Sequence, residues 1–442
     1  MILDRLEPEL LLIAIDDLRL GMFIQLELGW MDHPFSRSRF RLESSDQIDT
    51  LRQIGVRSVK VRRDLSDPDA FAAPAPAADL DAAPANPAVS DAPAPATAPA
   101  AASASDLEQA RRRARLSAQR ASLARCERAH AQASRAWLGV SRDAVRNPLQ
   151  AHQAAQALAG SMADELLSDE NTTLRVLGEA AGTASSQHAI NVTVLSLMLA
   201  RHIGLPTAQL HAIALGALMH DIGKSLLPDN LRHVSPDQTA LLLRERSEHV
   251  AQGVRLGMAM GMDPVALRII GQHHELQDGS GLPQGLKGDE IALPTRVVTL
   301  VDHYDRLCNP GHGIGGRTPH EAQALLFAQM RNKLDGMVMA SFVKLLGVYP
   351  PGSVVELSDG RHALVLTLTP NQPLRPSVVV HDPKVERDNA LLLDLSEHTG
   401  ITIRRSLHPQ HLPRATLDYL SPRERVHYYF THGESAHNGA AA

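Results

Sequence analysis

The sequence predicts a mainly α-helical protein with a small α+β module in front and a small β-rich appendage behind. Three observations carry this. From about residue 176 to 350, apolar residues recur in long helical runs with short breaks. At 353–381 the period changes: Val354, Glu356, Ala363, Val365, Leu366, Val378, Val379 and Val380 fall in short β-rich runs around turns such as Ser358-Asp359-Gly360. Residues 67–105 are nearly all Ala and Pro with scattered Asp and Ser. That tract has too few large apolar groups to offset its ordering entropy, so it reads as a disordered linker.

The expected organisation follows. Residues 1–66 form the amino-terminal module, 67–105 the linker, 106–175 a helical connector, 176–350 the catalytic domain and 351–432 the appendage and tail. In the first module Ser44 and Gln47 fit a capping box, Ile48, Leu51 and Ile54 follow at helical spacing, and Gly55 stops the helix. Met22, Ile24 and Leu26, then Val59 and Val61, alternate as in half-buried strands. His33 is read as structural. The module has no catalytic cluster. The connector carries a basic run at Arg111, Arg112, Arg113, Arg115, Arg120, Arg125 and Arg128. No aromatics interleave, so it reads as a solvated helix face that links domains or pairs two chains into a homodimer, rather than a nucleic-acid or lipid surface. The last ten or so residues are expected to fray.

Composition excludes several classes. The 442-residue chain has a net charge of −5, against the basic balance of a general nucleic-acid binder. Two cysteines, Cys126 and Cys308, give no disulfide framework and suit a reducing cytosol. The first residues lack the pattern of a signal peptide, and no apolar run reaches the ~20 residues of a membrane span. A cytoplasmic location is expected.

The chemical signal is a set of His and Asp residues on five helical stretches. His188 opens AINVTVLSLMLA. His220 and Asp221 end LHAIALGALM. His249 lies within RERSEHVAQGVRLGMAM, His273 and His274 end DPVALRIIGQ, and Asp302 lies in PTRVVTLVDHYDRL. A helix bundle can gather such groups at one buried site. Imidazole with carboxylate suits first-row transition metals, and a carboxylate can bridge two cations. Adjacent polar pairs such as His220-Asp221 and His273-His274 at the ends of apolar helices would be costly to bury without partners or a metal. His202, His211, His303 and His320 read as ordinary core or surface histidines.

These residues resemble a known family. HDIGK at 220–224, with an upstream His and a downstream Asp, looks like the HD phosphohydrolase superfamily. The stretch HHELQDGSGLPQGLKGDEI resembles the signature of its HD-GYP branch, bacterial cyclic di-GMP phosphodiesterases. The similarity covers about residues 176–350, and the amino-terminal GMFIQLELGWMDHPF stretch looks like a small domain often fused ahead of such enzymes. The resemblance implies a helical HD core with two divalent transition metal ions, Fe or Mn. It implies that His188, His220 and Asp302 bind one ion, that His249, His273 and His274 bind the other, and that Asp221 bridges them. Lys224 would touch a phosphate oxygen and neutralise developing charge, so Asp221 and Lys224 are the catalytic pair. Gly279 and Gly281 of the glycine-rich loop, with Lys224 and Arg317, would contact substrate. The product would be linear pGpG and then GMP.

Two departures stand out. The family's Gly-Tyr-Pro reads Gly281-Leu282-Pro283 here, a loop expected to serve partner docking or pocket shape. Some relatives hold a third metal through a Glu four residues before the first His, and that position is Ala184, so two metals are expected. Two other readings remain: a weak enzyme that senses the nucleotide and signals to a partner, and a hydrolase of another cyclic dinucleotide.

Overall fold

The computed structural model describes residues 10–25, 39–42, 47–48, 51–52, 58–71, 104–178, 181–228, 239–311, 315–368, 372, 374–390 and 392–431. The chain divides into two compact units, residues 1–98 and 99–442. Ser44, Ile54, Gly55, Leu26, His33, most of the Ala/Pro tract and the tail after Thr431 lie outside the described residues.

In the first unit, β1 (Leu10–Ala14), β2 (Phe23–Gln25), β3 (Arg39–Arg41) and β4 (Ser58–Arg62) form an antiparallel sheet in the order β1-β4-β2-β3. Met22, Ile24, Val59 and Val61 are buried, so the alternation in the sequence does mark the inward face. Ile48 and Leu51 join the same core.

The second unit is a helical bundle edged by a sheet. Its helices are α1 (Ala104–Asp143), α2 (Pro148–Leu167), α3 (Ala184–Ile203), α4 (Thr207–Met219), α5 (Thr239–Met260), α6 (Pro264–Gln272), α7 (Leu293–Cys308), α8 (Pro319–Met330), α9 (Gly336–Leu346) and the short α10 (Arg414–Leu420). The strands are β5 (Thr173–Val176), β6 (Val354–Leu357), β7 (His362–Thr367), β8 (Ser377–Val380), β9 (Leu392–Asp394), β10 (Ile403–Leu407) and β11 (Tyr428–Thr431). They pair antiparallel along β10-β6-β7-β5-β11, with β8 also on β7 and β9 on β8. No helix among the described residues is long and apolar enough to cross a membrane.

One sequence expectation is revised here. The segment 106–175 is helical only to Leu167, because Thr173–Val176 forms β5, buried between β7 and β11. The appendage therefore shares its sheet with a strand that precedes the catalytic helices. The basic helix α1 keeps its arginine face in solvent, as expected, and packs through its later turns. Its arginines at 111–113 and 115 are exposed, but Ala133, Trp137 and Val140 are buried. Trp137 Nε1 donates to the Leu218 carbonyl at 3.0 Å, and Cys126 Sγ donates to the Phe430 carbonyl at 3.1 Å. Small residues between the arginines let one face of α1 pack while the long charged stems stay in water.

Candidate metal centre

Local signals place each helix that feeds the site. Thr183 and Ser186 cap α3 reciprocally, which starts the helix one turn ahead of His188. Asp263 accepts from the Val265 N–H at 2.7 Å and Pro264 opens α6, which ends at His273. After α4 the chain tightens into a 3₁₀ turn, Ile222–Leu226. Gly223 in that turn lies against the His249 carbonyl and the Gly253 nitrogen, where a Cβ would overlap backbone. This is why HDIGK needs its glycine: the turn and α5 meet there, and His249 is brought beside Asp221.

The structure brings all seven predicted ligands together. His188, His220 and Asp302 form one group, and Asp221, His249, His273 and His274 form a second; within each, the potential ligand atoms all lie within 4.8 Å of one another. In the first group His188 Nε2 is 3.1 Å from both His220 Nε2 and Asp302 Oδ1. In the second, His249 Nε2 is 3.3 Å from His273 Nε2. Asp221 faces both. Its Oδ2 is 3.6 Å from His188 Nε2 and 3.5 Å from His220 Nε2, and its Oδ1 is 3.3 Å from His249 Nε2 and 3.7 Å from His273 Nε2.

The imidazoles are aimed by their other nitrogens. Nδ1 of His188 sits 2.6 Å from Asp305 Oδ2, that of His220 2.7 Å from the Ala217 carbonyl, that of His249 2.9 Å from the Glu245 carbonyl and that of His273 2.9 Å from the Ile270 carbonyl. Each acceptor favours a proton on Nδ1, which leaves the Nε2 lone pair pointing at its neighbours. Four such lone pairs and two carboxylates facing one another call for cations. Among the described residues, the buried Asp221 Oδ1, Asp302 Oδ1 and His274 Nε2 have no hydrogen-bond partner. A buried acceptor left this way is costly unless an ion meets it, so the donor set fits metal binding.

The electrostatics agree. Burial opposes a charge on His220, yet Asp221 and Asp302 overcome it and raise its imidazole to about 9, so a proton is held where a cation would sit. Burial lowers His273 to about 4 and His274 well below its ordinary value, keeping both neutral as ligands must be. Asp221 and Asp302 stay ionised despite burial. Lys224, His220 and Arg306 hold the first down, and Arg306 with His188 and His220 holds the second.

Other predicted residues have more specific places. Lys224 Nζ donates to Asp221 Oδ2 at 2.8 Å and lies 3.5 Å from Glu245 Oε1. Gly281 packs against the backbone of Glu275 and Leu276, leaving no room for a Cβ, and Gly279 has φ +81° against the Lys287 stem. Arg317 is exposed on the segment after α7, its N–H bonded to the Leu307 carbonyl. His211 bonds Asp164, and His303 and His320 bond the backbone carbonyls of Thr299 and Val348; none of the three belongs to the two ligand groups.

Five residues were missed. Arg306 Nη2 donates to Asp221 Oδ2 and its Nε to Asp302, both at 2.9 Å. Its spacing of four from Asp302 on one helix was a legible signal. Asp305 holds His188, and Asn191 and Asn309 in turn donate to Asp305 Oδ1 at 2.7 and 2.8 Å. Buried Glu275 accepts from the Gln284 and Leu286 N–H groups, closing the loop that holds Leu282.

Comparison with known proteins gives this geometry a family. A family model described as an HD domain matches residues 145–338, one described as a KOW domain associated with HD domain matches 354–415, and a domain of unknown function (DUF3391) matches 10–155. Cyclic di-GMP phosphodiesterase PA4108 of Pseudomonas aeruginosa is 30% identical over 374 residues, covering 83% of this chain and 84% of that protein. The chain belongs to the HD-GYP family of HD-domain phosphohydrolases. A second relative, 3'3'-cGAMP-specific phosphodiesterase 1 of Vibrio cholerae, is 30% identical over 173 residues, 38% of this chain and 40% of that protein. Among solved structures, the HDG"Y"P protein Bd1817 from Bdellovibrio bacteriovorus matches at 18% identity with a TM-score of 0.39, covering 76% of this chain and 99% of that one. In this HD-GYP chain the family tyrosine is Leu282, whose N–H donates to the His274 carbonyl at 3.0 Å. The loop is thus fastened to a candidate ligand through backbone, which any residue at 282 except proline supplies.

Proposed function

We propose that this chain hydrolyses cyclic di-GMP to linear pGpG and then GMP, with two divalent ions, Fe or Mn, held by His188, His220 and Asp302 and by His249, His273 and His274, and with Asp221 between them. The observation that carries it is the division of Asp221: Oδ2 faces one histidine pair and Oδ1 the other. Ions held there would act as Lewis acids on a phosphoryl oxygen and make water a stronger nucleophile at neutral pH. The rest of the chemistry belongs to side chains. Asp305 and three backbone carbonyls orient the imidazoles. Arg306 and Lys224 offset the charge of Asp221, and Arg306 that of Asp302. Lys224, partly exposed, is the cation best placed to meet a phosphate oxygen entering from solvent.

The substrate rests on the relatives, several of which are named for cyclic di-GMP and others for 3'3'-cGAMP. The test is to purify the chain anaerobically, count metal per chain by plasma emission, and follow products from a panel of cyclic dinucleotides by chromatography. Two ions per chain with pGpG or GMP from cyclic di-GMP are expected. Preferred turnover of 3'3'-cGAMP would reassign the substrate. Binding without turnover would select the sensor.

A further inference from the structure

Arg306 stands on α7 one turn after Asp302 and reaches candidate ligands from two different elements. Its Nε donates to Asp302 and its Nη2 to Asp221 Oδ2, both at 2.9 Å. Lys224 Nζ donates to that same oxygen of Asp221 at 2.8 Å. A guanidinium carries five N–H donors in one rigid plane. The two bonds to carboxylates leave Nη1 without a partner among the described residues. Both carboxylates are buried, at 1% and 13% exposure, while the arginine keeps 35% of its side-chain surface in solvent. Its bonded atoms thus face the centre, and the rest of the side chain reaches the solvent from which a substrate comes.

The charge of the centre gives the unspent donors a purpose. Asp221, Asp302 and Asp305 lie against His188, and Glu245 lies against His249. Two divalent ions would by themselves balance these carboxylates, and Lys224 and Arg306 would then stand as positive charge in excess. Such an excess draws in an anion. We propose that Arg306 is a catalytic residue that grips the substrate phosphate through its Nη1 end, beside Lys224. The proposal rests on the two-ion hydrolase reading and names the phosphate contact within it. Lys224 supplies a point charge, and Arg306 supplies a planar pair of donors that sets the orientation of the phosphate as well as its place. Because both cations touch Asp221 Oδ2, a single phosphate can meet both. Charge that builds up on its oxygens during attack is met by donors already in position.

The test uses the full chain, loaded with metal, as wild type, Arg306→Ala and Arg306→Lys. Metal per chain is counted by plasma emission on each preparation. Inorganic phosphate is titrated by calorimetry, which reads the contact without turnover, and rates are followed with bis(4-nitrophenyl) phosphate, a diester that carries no guanine. Arg306→Ala should lose about tenfold or more in phosphate affinity and at least as much in kcat/KM, since a charged, paired donor is gone. Arg306→Lys keeps the charge and loses the planar fork, so it should recover phosphate affinity only in part. Wild-type phosphate affinity in either variant, at wild-type metal content, overturns the contact. Loss of metal from both variants overturns it as well, because Arg306 would then be a support of the ligand carboxylates. The two readings fail separately. A wild type that binds phosphate through Arg306 and turns over no diester sinks the hydrolase reading alone. An active wild type whose variants bind phosphate unchanged sinks the contact alone.

Discussion

Asp305 Oδ2 lies 2.6 Å from His188 Nδ1, so a carboxylate outside the predicted ligand set decides which nitrogen His188 turns toward Asp302 and Asp221. Asp305→Asn keeps the shape but offers an N–H₂ that can push the imidazole proton to Nε2, where the lone pair is needed. Metal affinity or kcat should fall about 10–100-fold with the fold intact by circular dichroism. Wild-type metal content and rate in this variant would remove the positioning role.

Asp221 and Lys224 touch each other, yet their variants should separate. Asp221→Ala deletes the group that faces both histidine pairs, and metal content and turnover should both disappear. Lys224→Ala leaves every candidate ligand in place, so metal should remain while kcat drops by about 10²–10³-fold. Plasma emission and steady-state rates on the same preparations distinguish the two. A Lys224→Ala protein with normal kcat has no need of that ammonium in catalysis.

Leu282 is held through its backbone N–H. Restoring the family tyrosine with Leu282→Tyr should leave metal content unchanged and move KM or partner binding more than kcat, because a hydroxyl and ring are added beside the site and no candidate ligand changes. A rise in kcat from undetectable to an ordinary rate would show instead that the natural protein is a sensor.

Half-buried Glu165 and buried His130, both away from the ligands, give pH dependences of opposite sign. Burial raises Glu165 from its ordinary 4.5 to about 7, although the Tyr429 hydroxyl donates to it at 3.1 Å. The folded chain then holds a proton that the unfolded chain has released, so stability falls as pH rises from about 4.5 to 7. Glu165→Gln should remove this loss, gaining of the order of 1–3 kcal/mol at pH 8 and little at pH 4.5. His130 runs the other way. Burial, then its neighbour His427, lowers it from 6.5 to about 4, and among the described residues neither ring nitrogen has a hydrogen-bond partner. Its contribution is present above 6.5 and lost as pH falls toward 4, so His130→Leu should flatten that limb. Denaturant melts across pH 4–8 check both signs.

The candidate ligand set was legible because each member is an ionisable residue in or beside an apolar helix, a placement with a physical cost that the sequence displays. His220-Asp221 and His273-His274 advertise it most clearly. The carboxy-terminal β content was legible from its period. What the sequence hid was long-range pairing. Nothing local in Thr173–Val176 tells that it will lie between β7 and β11, and its four residues are too few to show a strand period. Asp305 and Asn191 read as ordinary polar helix residues until α3 and α7 face each other. Trp137 gave no hint that its indole would reach the Leu218 carbonyl, 81 positions away.

The strand β11 sets an order of events. Asn191 donates to the Val426 carbonyl and accepts from the Tyr428 N–H, and Asn309 exchanges two hydrogen bonds with Val426. A nascent chain emerging from the ribosome has all seven candidate ligands available by Asp302, yet the groups that fasten Asn191 and Asn309 are more than a hundred residues behind. At ~5–20 residues per second the helices have seconds to collapse before β11 arrives. During that interval His188 lacks its final support. Any ion that enters the candidate centre would therefore meet its finished support only after synthesis, and a message cut short just before residue 426 would yield a chain with every candidate ligand and an unfinished centre.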